Sequence, residues 1–66
     1  MVAKPDIKPE LLNVRQLARL LCISESTIRR KVEARQIPHY KIDSMIRFKR
    51  KEILEFLENF RVDMAD

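Results

Sequence analysis

Positively charged side chains that could bind a polyanion are concentrated in the middle of the chain. Residues 15–51 contain eleven Lys and Arg against three Asp and Glu, whereas residues 52–66 contain one Arg against five acidic residues. The 66-residue chain as a whole has a formal net charge of +4 and a pI of about 9.6. This division predicts that the middle segment contacts a negatively charged partner. The alternative is a solvent-exposed surface on which the charges are grouped by chance.

Side chains suited to covalent or metal chemistry are few. Cys22 and His39 are the single cysteine and the single histidine, which is too few for a tetrahedral zinc site without oxygen ligands. No neighbouring base marks the Cys22 thiol as a nucleophile, so we expect it to be buried under a turn. Glu52, Glu55 and Glu58 have helical spacing, and we expect them to form a solvent-exposed helix face. We therefore expect neither an enzyme nor a metal or cofactor site.

The composition is typical of one small globular domain, with 45% hydrophobic and 36% charged residues. A single cysteine cannot form an intrachain disulfide, which favours a reducing compartment. The longest apolar run, residues 20–23, is much shorter than the ~18–20 residues of a membrane span. The first ten residues lack the apolar core of a signal peptide. We therefore expect a cytoplasmic protein with no membrane partner.

The elements that must position the basic side chains begin after a short arm. Residues 1–10 contain two of the three prolines and no apolar periodicity, so we expect a flexible arm there. From Asn13 to Leu21 the apolar residues recur at helical spacing. Asn13 and Gln16 have the spacing of a capping box, which predicts that the first helix begins at this point.

A second helix is predicted after a turn of three residues. Ser24 is a suitable N-cap for a helix over residues 25 to about 34. Ile28 and Val32 lie on one side of this helix and are expected to face the core. Its remaining surface is polar and carries Ser26, Thr27, Arg29, Arg30 and Glu33. Two short helices joined in this way form a helix-turn-helix pattern.

Beyond Pro38 the alternation of apolar residues predicts a hairpin that turns at Asp43 and Ser44. We expect one face to be apolar and the other polar; the apolar set is Tyr40, Ile42, Ile46 and Phe48, and the polar set is His39, Lys41, Met45 and Arg47. Helical spacing returns near Arg50 and predicts a third helix. Its expected core residues are Ile53, Phe56, Leu57 and Phe60.

Several short motifs follow one another in a fixed order. They are Leu12-x-Val14, Leu20-Leu21-x-Ile23-Ser24, Ser24-x-x-Thr27-Ile28-x-Arg30, Ile37-Pro38, and Arg47-Phe48 followed by Lys51-Glu52-Ile53. In these motifs the chain resembles the excisionase-type branch of the MerR-like winged-helix DNA-binding family, over residues 11 to about 57. The resemblance implies a mainly α fold with a β-hairpin wing, a winged helix-turn-helix of order α-α-β-β-α. This single small domain would span residues 11–61, followed by a short tail, residues 62–66.

The chain departs from this family at its turns, because it contains no glycine. The family usually has glycine at the positions of Cys22 and Arg35 and at the wing tip, near Asp43 and Ser44. A residue other than glycine that is left-handed at such a position carries a strain of ~1 kcal/mol. The chain also has Lys31 where the family often has an apolar residue.

The resemblance implies double-stranded DNA as the partner. The expected DNA-binding residues lie on the second helix, on the wing and beside them; they are Ser26, Thr27, Arg29, Arg30, Lys41, Arg47, Lys49 and Arg15. Arg30 and its neighbours would enter the major groove, whereas Lys41 and Arg47 would hold the backbone and the minor groove. We expect Glu33 to pair with Arg29 or Arg30, or to accept from a cytosine amino group. An ordinary solvated surface is the alternative for each of these residues.

The function implied is that of an excisionase-like accessory factor of bacterial or phage origin. Several copies would bind neighbouring sites, bend the DNA and direct a recombinase, an integrase, toward excision of a mobile element. A prophage or plasmid transcription regulator on the same fold is an alternative. A protein-interaction module, which would bind a partner through the acidic face of the third helix, is an alternative of another class. No small-molecule substrate, cofactor or metal is expected.

Overall fold

A computed structural model describes residues 10–63. Its elements in chain order are β1 (Leu11–Leu12), α1 (Val14–Leu21), α2 (Glu25–Glu33), β2 (Tyr40–Ile42), β3 (Met45–Lys49), α3 (Arg50–Leu57) and a 3-10 turn (Glu58–Phe60). The arm predicted for residues 1–10 lies outside this described part except for Glu10, as do residues 64–66 of the predicted tail. No helix within the described part is long and apolar enough to span a membrane.

The first two helices begin at the caps that the sequence predicts. Asn13 and Gln16 form a reciprocal capping box: the Gln16 backbone N–H donates to Asn13 Oδ1 at 2.8 Å, and the Asn13 N–H donates to Gln16 Oε1 at 2.9 Å. The Thr27 N–H donates to Ser24 Oγ at 3.2 Å. Each cap satisfies an N–H group that the helix leaves free and stabilises the domain by ~1 kcal/mol. The predicted starts of α1 and α2 are therefore confirmed.

Both helices end in a Schellman motif whose left-handed residue is not glycine. Cys22 has φ 58° after α1, where the Ile23 N–H donates to the Ala18 carbonyl at 3.1 Å. Arg35 has φ 56° after α2, where the Gln36 N–H donates to the Lys31 carbonyl at 2.8 Å. These backbone bonds satisfy carbonyls at the helix ends. They hold Cys22 and Arg35 in a conformation that glycine adopts at lower cost.

Cys22 is exposed, which contradicts the expectation that it is buried under the turn. Its left-handed backbone reverses the chain past the end of α1, and the thiol Sγ lies 3.6 Å from the Arg19 carbonyl oxygen, outside the core. Asp43, at the wing tip, is also left-handed, with φ 57°. All three positive φ values within residues 10–63 thus fall at positions where the resembling family has glycine.

The sheet has three antiparallel strands in the order β1-β3-β2. In β1, Leu11 pairs with Lys49 and Leu12 pairs with Phe48. The Arg50 N–H donates to the Glu10 carbonyl at 2.8 Å and extends this contact by one residue. The sequence pattern did not predict β1, because two residues are too few to show an alternation. The hairpin is therefore joined on its β3 side to the segment that leads into α1.

The pairing in the wing contradicts the predicted outer face. Tyr40 pairs with Arg47, and Ile42 pairs with Met45. Residues paired across antiparallel strands lie on the same face. Tyr40 and Ile42 therefore share the outer face with Met45 and Arg47, and they are 40% and 47% exposed. The cause is the two-residue turn at residues 43–44, which pairs even-numbered residues of β2 with odd-numbered residues of β3.

The prediction for the inner face of the wing is wrong for the same reason. Lys41 pairs with Ile46 and so lies on the face that also carries the buried Phe48. We expected Lys41 on the face opposite these two residues. Lys41 itself stays exposed, since it lies near the tip of the hairpin. It is therefore directed toward the same side of the sheet as the core.

Four fully buried side chains, one from each major element, form the centre of the core. They are Leu17 of α1, Ile28 of α2, Phe48 of β3 and Ile53 of α3. Around them are Leu12, Val14, Ala18 and Ile37. Truncation of a large residue at such a position typically costs about 2–5 kcal/mol. The buried Ile28 fixes α2 against the core, and Phe48 does the same for the wing.

The C-terminal part of the third helix is less buried than its pattern predicts. Leu57 is 37% exposed and Phe60 is 58% exposed, although both were expected to face the core. The α-helix ends at Leu57 and a 3-10 turn follows, so the helical stripe does not continue. The Phe60 ring packs edge-on against Phe56 at a centroid distance of 4.9 Å instead.

Candidate nucleic-acid interface

The polar side of α2 is exposed to solvent. Ser26, Arg29 and Arg30 are exposed, and Thr27 is half-buried. On the opposite side Ile28 is fully buried, so the orientation of the helix is fixed by the core. The structure thus brings four of the residues predicted to bind DNA onto one accessible helix surface.

Hydroxyl groups of the first turn of α2 position one of these arginines. Arg30 Nη2 donates to Thr27 Oγ1 at 3.2 Å, and Thr27 Oγ1 lies 2.8 Å from Ser24 Oγ. Ser24 Oγ is also 3.2 Å from Ser26 Oγ. The guanidinium of Arg30 therefore lies back toward the start of α2, as long side chains on a helix usually do. Thr27 holds the arginine and does not present a free hydroxyl.

Arg29 pairs with Glu25, one turn earlier, at a distance of 3.9 Å between Nη2 and Oε1. Arg29 therefore pairs with Glu25 and Arg30 bonds to Thr27, and neither pairs with Glu33 as one of our two alternatives expected; contact of Glu33 with a cytosine amino group stays a prediction. Glu25 lies toward the helix N-terminus, where the side chain of Arg29 points. Both partners are about half exposed or more, at 63% and 48%. Such an exposed pair contributes only ~0.3–0.5 kcal/mol, so a phosphate group can compete for the arginine.

A cleft of about 730 Å³ separates α2 from the wing. Its ionisable side chains come from α2 and from the chain that follows it. They are Arg29 and Glu33 of α2, Arg35 of the next turn, His39 just before β2, and Lys41 of β2. Its other lining residues are Val14, Val32, Ile37, Pro38, Ser44 and Ile46. We call this feature the α2–wing cleft. Three cations against one carboxylate make it a positively charged surface.

Arg35 and His39 were not among the predicted binding residues. Arg35 was recognised only as a turn residue, and His39 was assigned to the polar face of the hairpin. The left-handed backbone at Arg35 ends α2 and redirects the chain toward the wing, which brings both residues to the cleft. The positive charge of Arg35 was the one signal in the sequence that could have identified it.

The two predicted basic residues of the wing, Lys41 and Arg47, lie on opposite faces of the hairpin. Arg47 is half-buried on the outer face, where Nη1 donates to the Ile46 carbonyl at 2.7 Å and Nη2 is 3.6 Å from Met45 Sδ. Lys41 lies on the inner face and lines the α2–wing cleft. Only Lys41 is therefore brought to α2.

Arg15 and Lys49 also lie outside the α2–wing cleft. Arg15 is exposed on α1 and lines a smaller, separate cavity beside Arg19 and the start of α2. Lys49 is half-buried at the end of β3, directly before α3. The predicted residues thus divide into a group on α2 and the cleft, and three outlying cations, Arg15, Arg47 and Lys49.

A hydrogen bond connects the wing to α3. The Tyr40 hydroxyl donates to Glu52 Oε2 at 2.9 Å. This bond to a carboxylate is the main cause that raises the pKa of Tyr40, because ionisation of the phenol would break it. Glu52 was expected to belong to a merely solvated helix face. The structure shows that it contacts the hairpin.

Comparison with known protein families identifies the fold. The family model of the helix-turn-helix domain matches residues 11–61, from β1 to the residue after the 3-10 turn. Neither the curated proteins nor the solved structures gave a match. The match covers the capped helix pair, the wing and α3, and the three helices with their three-stranded antiparallel sheet form a winged helix-turn-helix. The chain belongs to the helix-turn-helix domain family of DNA-binding proteins.

Proposed function

We propose that the protein binds duplex DNA in a sequence-specific manner, with α2 in the major groove and the wing against the backbone. The observation that carries this proposal is the accessible polar side of α2, fixed by the buried Ile28 and bordered by a positively charged cleft. An α-helix fits the major groove of B-DNA, where arginine can bond to guanine through two hydrogen bonds. Arg30 is the residue we assign to base recognition.

The other predicted residues have supporting roles in this proposal. Arg29 and Lys41 flank the cleft and would contact phosphates on the two sides of α2. Ser26 is exposed and can reach a phosphate or a base edge, whereas Thr27 acts by orienting Arg30. Arg15, Arg47 and Lys49 would extend the contacts along the backbone, which fixes register without reading sequence.

We further propose an excisionase-like role, in which neighbouring copies on the DNA direct an integrase toward excision. The resemblance in the ordered motifs supports this role. A prophage or plasmid transcription regulator would use the same interface, and the gene beside this one distinguishes the two roles. In either role the protein acts by binding in the cytoplasm and catalyses no reaction.

Exposed apolar residues on α3 and the 3-10 turn after it support a protein partner in addition to DNA. Leu54 and Leu57 of α3 are 47% and 37% exposed, and Phe60 of the 3-10 turn is 58% exposed. Leu54 and Leu57, three residues apart on the helix, are neighbours on its surface. Glu55 and Glu58 lie between the three apolar residues in the sequence. We assign these apolar residues, none of which lines the α2–wing cleft, to contact with the recombinase.

Footprinting on the DNA that flanks the protein's own gene tests the proposal. We expect short protected sites in this region, with no protection of a shuffled fragment of equal composition. An adjacent integrase gene, together with protected sites that lie side by side near a recombination site, would support the excision role. Protected sites that overlap a promoter, with no integrase gene nearby, would favour the regulator. Absence of any protected site would contradict sequence-specific binding.

A further inference from the structure

The α2–wing cleft contains one imidazole, the side chain of His39. His39 is half-buried there, and its Nδ1 lies 2.8 Å from the Ile37 carbonyl oxygen. A carbonyl oxygen can only accept, so Nδ1 carries the hydrogen of this bond. Nε2 is therefore the ring nitrogen that can take up a proton. An anion bound at Nε2 would favour that proton, so this cleft can gain a positive charge when an anion binds.

Four charged residues line the cleft together with His39. Arg29 and Glu33 come from α2, Arg35 from the turn after that helix, and Lys41 from β2, whereas α1 and β3 contribute only the apolar Val14 and Ile46. Glu33 is the one carboxylate against three permanent cations. Without an anion, a protonated imidazole would meet a surface that is already positive. With a phosphate in the cleft, the same proton would add a charge-assisted hydrogen bond.

The geometry points to the α2–wing cleft as a binding site for phosphate groups of the DNA backbone, with Arg35 and His39 as ligands and with proton uptake by His39 on binding. This inference rests on the proposed function and assigns two residues to it. The cleft lies directly beside the helix that reads the bases, so a strand read by α2 passes its phosphates along this side. Because binding takes up a proton, DNA affinity rises as the pH falls.

The first test measures DNA affinity against pH in the full chain. Between pH 7.5 and 5.5, at constant ionic strength, we expect the wild type to bind its site about 3- to 10-fold more tightly. His39→Asn keeps a donor near the position of Nδ1 and removes the titrating ring, and His39→Gln is a second neutral replacement. Both variants should lose this pH dependence. Since His39 is the single histidine and Glu33 remains in both variants, the difference from the wild type reports His39 alone.

The second test removes the charge of Arg35. Arg35→Gln should weaken binding to cognate and scrambled duplexes alike and lower the slope of log K against log salt by about one. Arg61→Gln is the matched control: Arg61 pairs with Glu58 at 3.8 Å and Asp63 at 3.1 Å in the acidic C-terminal region. The control should leave both quantities unchanged. Thermal melts of each variant exclude unfolding as the cause.

The outcomes separate this inference from the proposed function. Two results together would overturn the inference and leave the proposed function intact. They are DNA affinity that depends on salt but not on pH, and an Arg35→Gln variant that binds DNA like the wild type. Absence of DNA binding at every pH would overturn the proposed function itself. Inorganic phosphate is the third probe. If at matched ionic strength it stabilises the wild type but not His39→Asn, while DNA affinity is independent of pH, the cleft binds a free anion and the backbone assignment is wrong.

Discussion

Arg30 lies in the middle of the exposed side of α2, two residues after the fully buried Ile28. Its guanidinium is held by Thr27 Oγ1 at 3.2 Å, and Ser24 holds Thr27 in turn at 2.8 Å. This chain of hydroxyl groups restricts the rotamers of a long side chain before DNA is bound. Preorganisation of this kind reduces the entropy that binding would otherwise cost.

The Arg30→Ala variant tests base recognition. We expect a loss of ~1–3 kcal/mol of binding free energy on the cognate site and a much smaller loss on a scrambled duplex, so the specificity ratio falls. Arg30 lies outside the core, so the melting temperature should not change. Titrations of both duplexes measure the ratio. An unchanged ratio would show that α2 does not select the sequence.

Arg47 differs from Arg30 in its surroundings, because Nη1 is bonded to the carbonyl of its own strand and the side chain lies on the outer face of the wing. Arg47→Ala should weaken binding to cognate and scrambled duplexes by similar factors and lower the salt slope by about one. Parallel titrations with Arg61→Ala as a charge-matched control measure these effects. A loss confined to the cognate duplex would instead make Arg47 a base contact.

The hydrogen bond from Tyr40 to Glu52 holds the wing on α3. Tyr40 is the single tyrosine, so ultraviolet absorbance of the phenolate follows its ionisation alone. We expect a pKa above the ordinary value of about 10 in the wild type. The contribution of this bond to stability is present below that value and disappears as the pH rises through the raised pKa.

Glu52→Ala should return the pKa of Tyr40 toward its ordinary value, and the comparable Glu55→Ala should leave it raised. An equal titration in all three proteins would show that the contact between wing and α3 does not form in solution.

The turns that end α1 and α2 carry strain that a single replacement can relieve. Cys22→Gly should stabilise the domain by ~0.5–1 kcal/mol, because relief of the left-handed strain exceeds the added entropy of the unfolded chain. For a domain of this size the melting temperature would rise by about 2–8 °C. Cys22→Ala removes the same thiol without relieving the backbone and should give no such rise. Equal melting temperatures for the two variants would contradict the assigned strain.

The elements differ in how far local sequence determines them. The caps at Asn13 and Ser24 were predictable, since each depends on residues three positions apart. The left-handed residues Cys22, Arg35 and Asp43 were indicated only by the resemblance, because the family usually has glycine at these positions.

The faces of the wing were not predictable from the alternation alone. Which residues of β2 and β3 share a face depends on whether the turn between them has an even or an odd number of residues. The α2–wing cleft was not predictable either, since Arg35 and His39 meet Lys41 only through the tertiary fold.

Across the whole molecule, the positive charge is concentrated in residues 15–51, which run from α1 to the first two residues of α3, and the acidic charge in residues 52–66. Residues 15–51 hold eleven of the 14 Lys and Arg. The family match covers residues 11–61 and therefore includes the whole basic segment and most of the acidic one. A DNA duplex releases about one counterion for each phosphate that a cation neutralises, so the number of cations at the interface is a measurable property of the complex.

The dependence of DNA affinity on salt tests the central claim, that the basic middle of the chain binds duplex DNA. If about five to seven of its cations contact phosphates, log K should fall with log salt with a slope of roughly −4.5 to −6.5. The measurement is a titration of one labelled duplex at four or more salt concentrations, with the fold monitored at each concentration. A slope in that range is the result we predict. A slope near zero with the domain folded would contradict DNA binding by this surface.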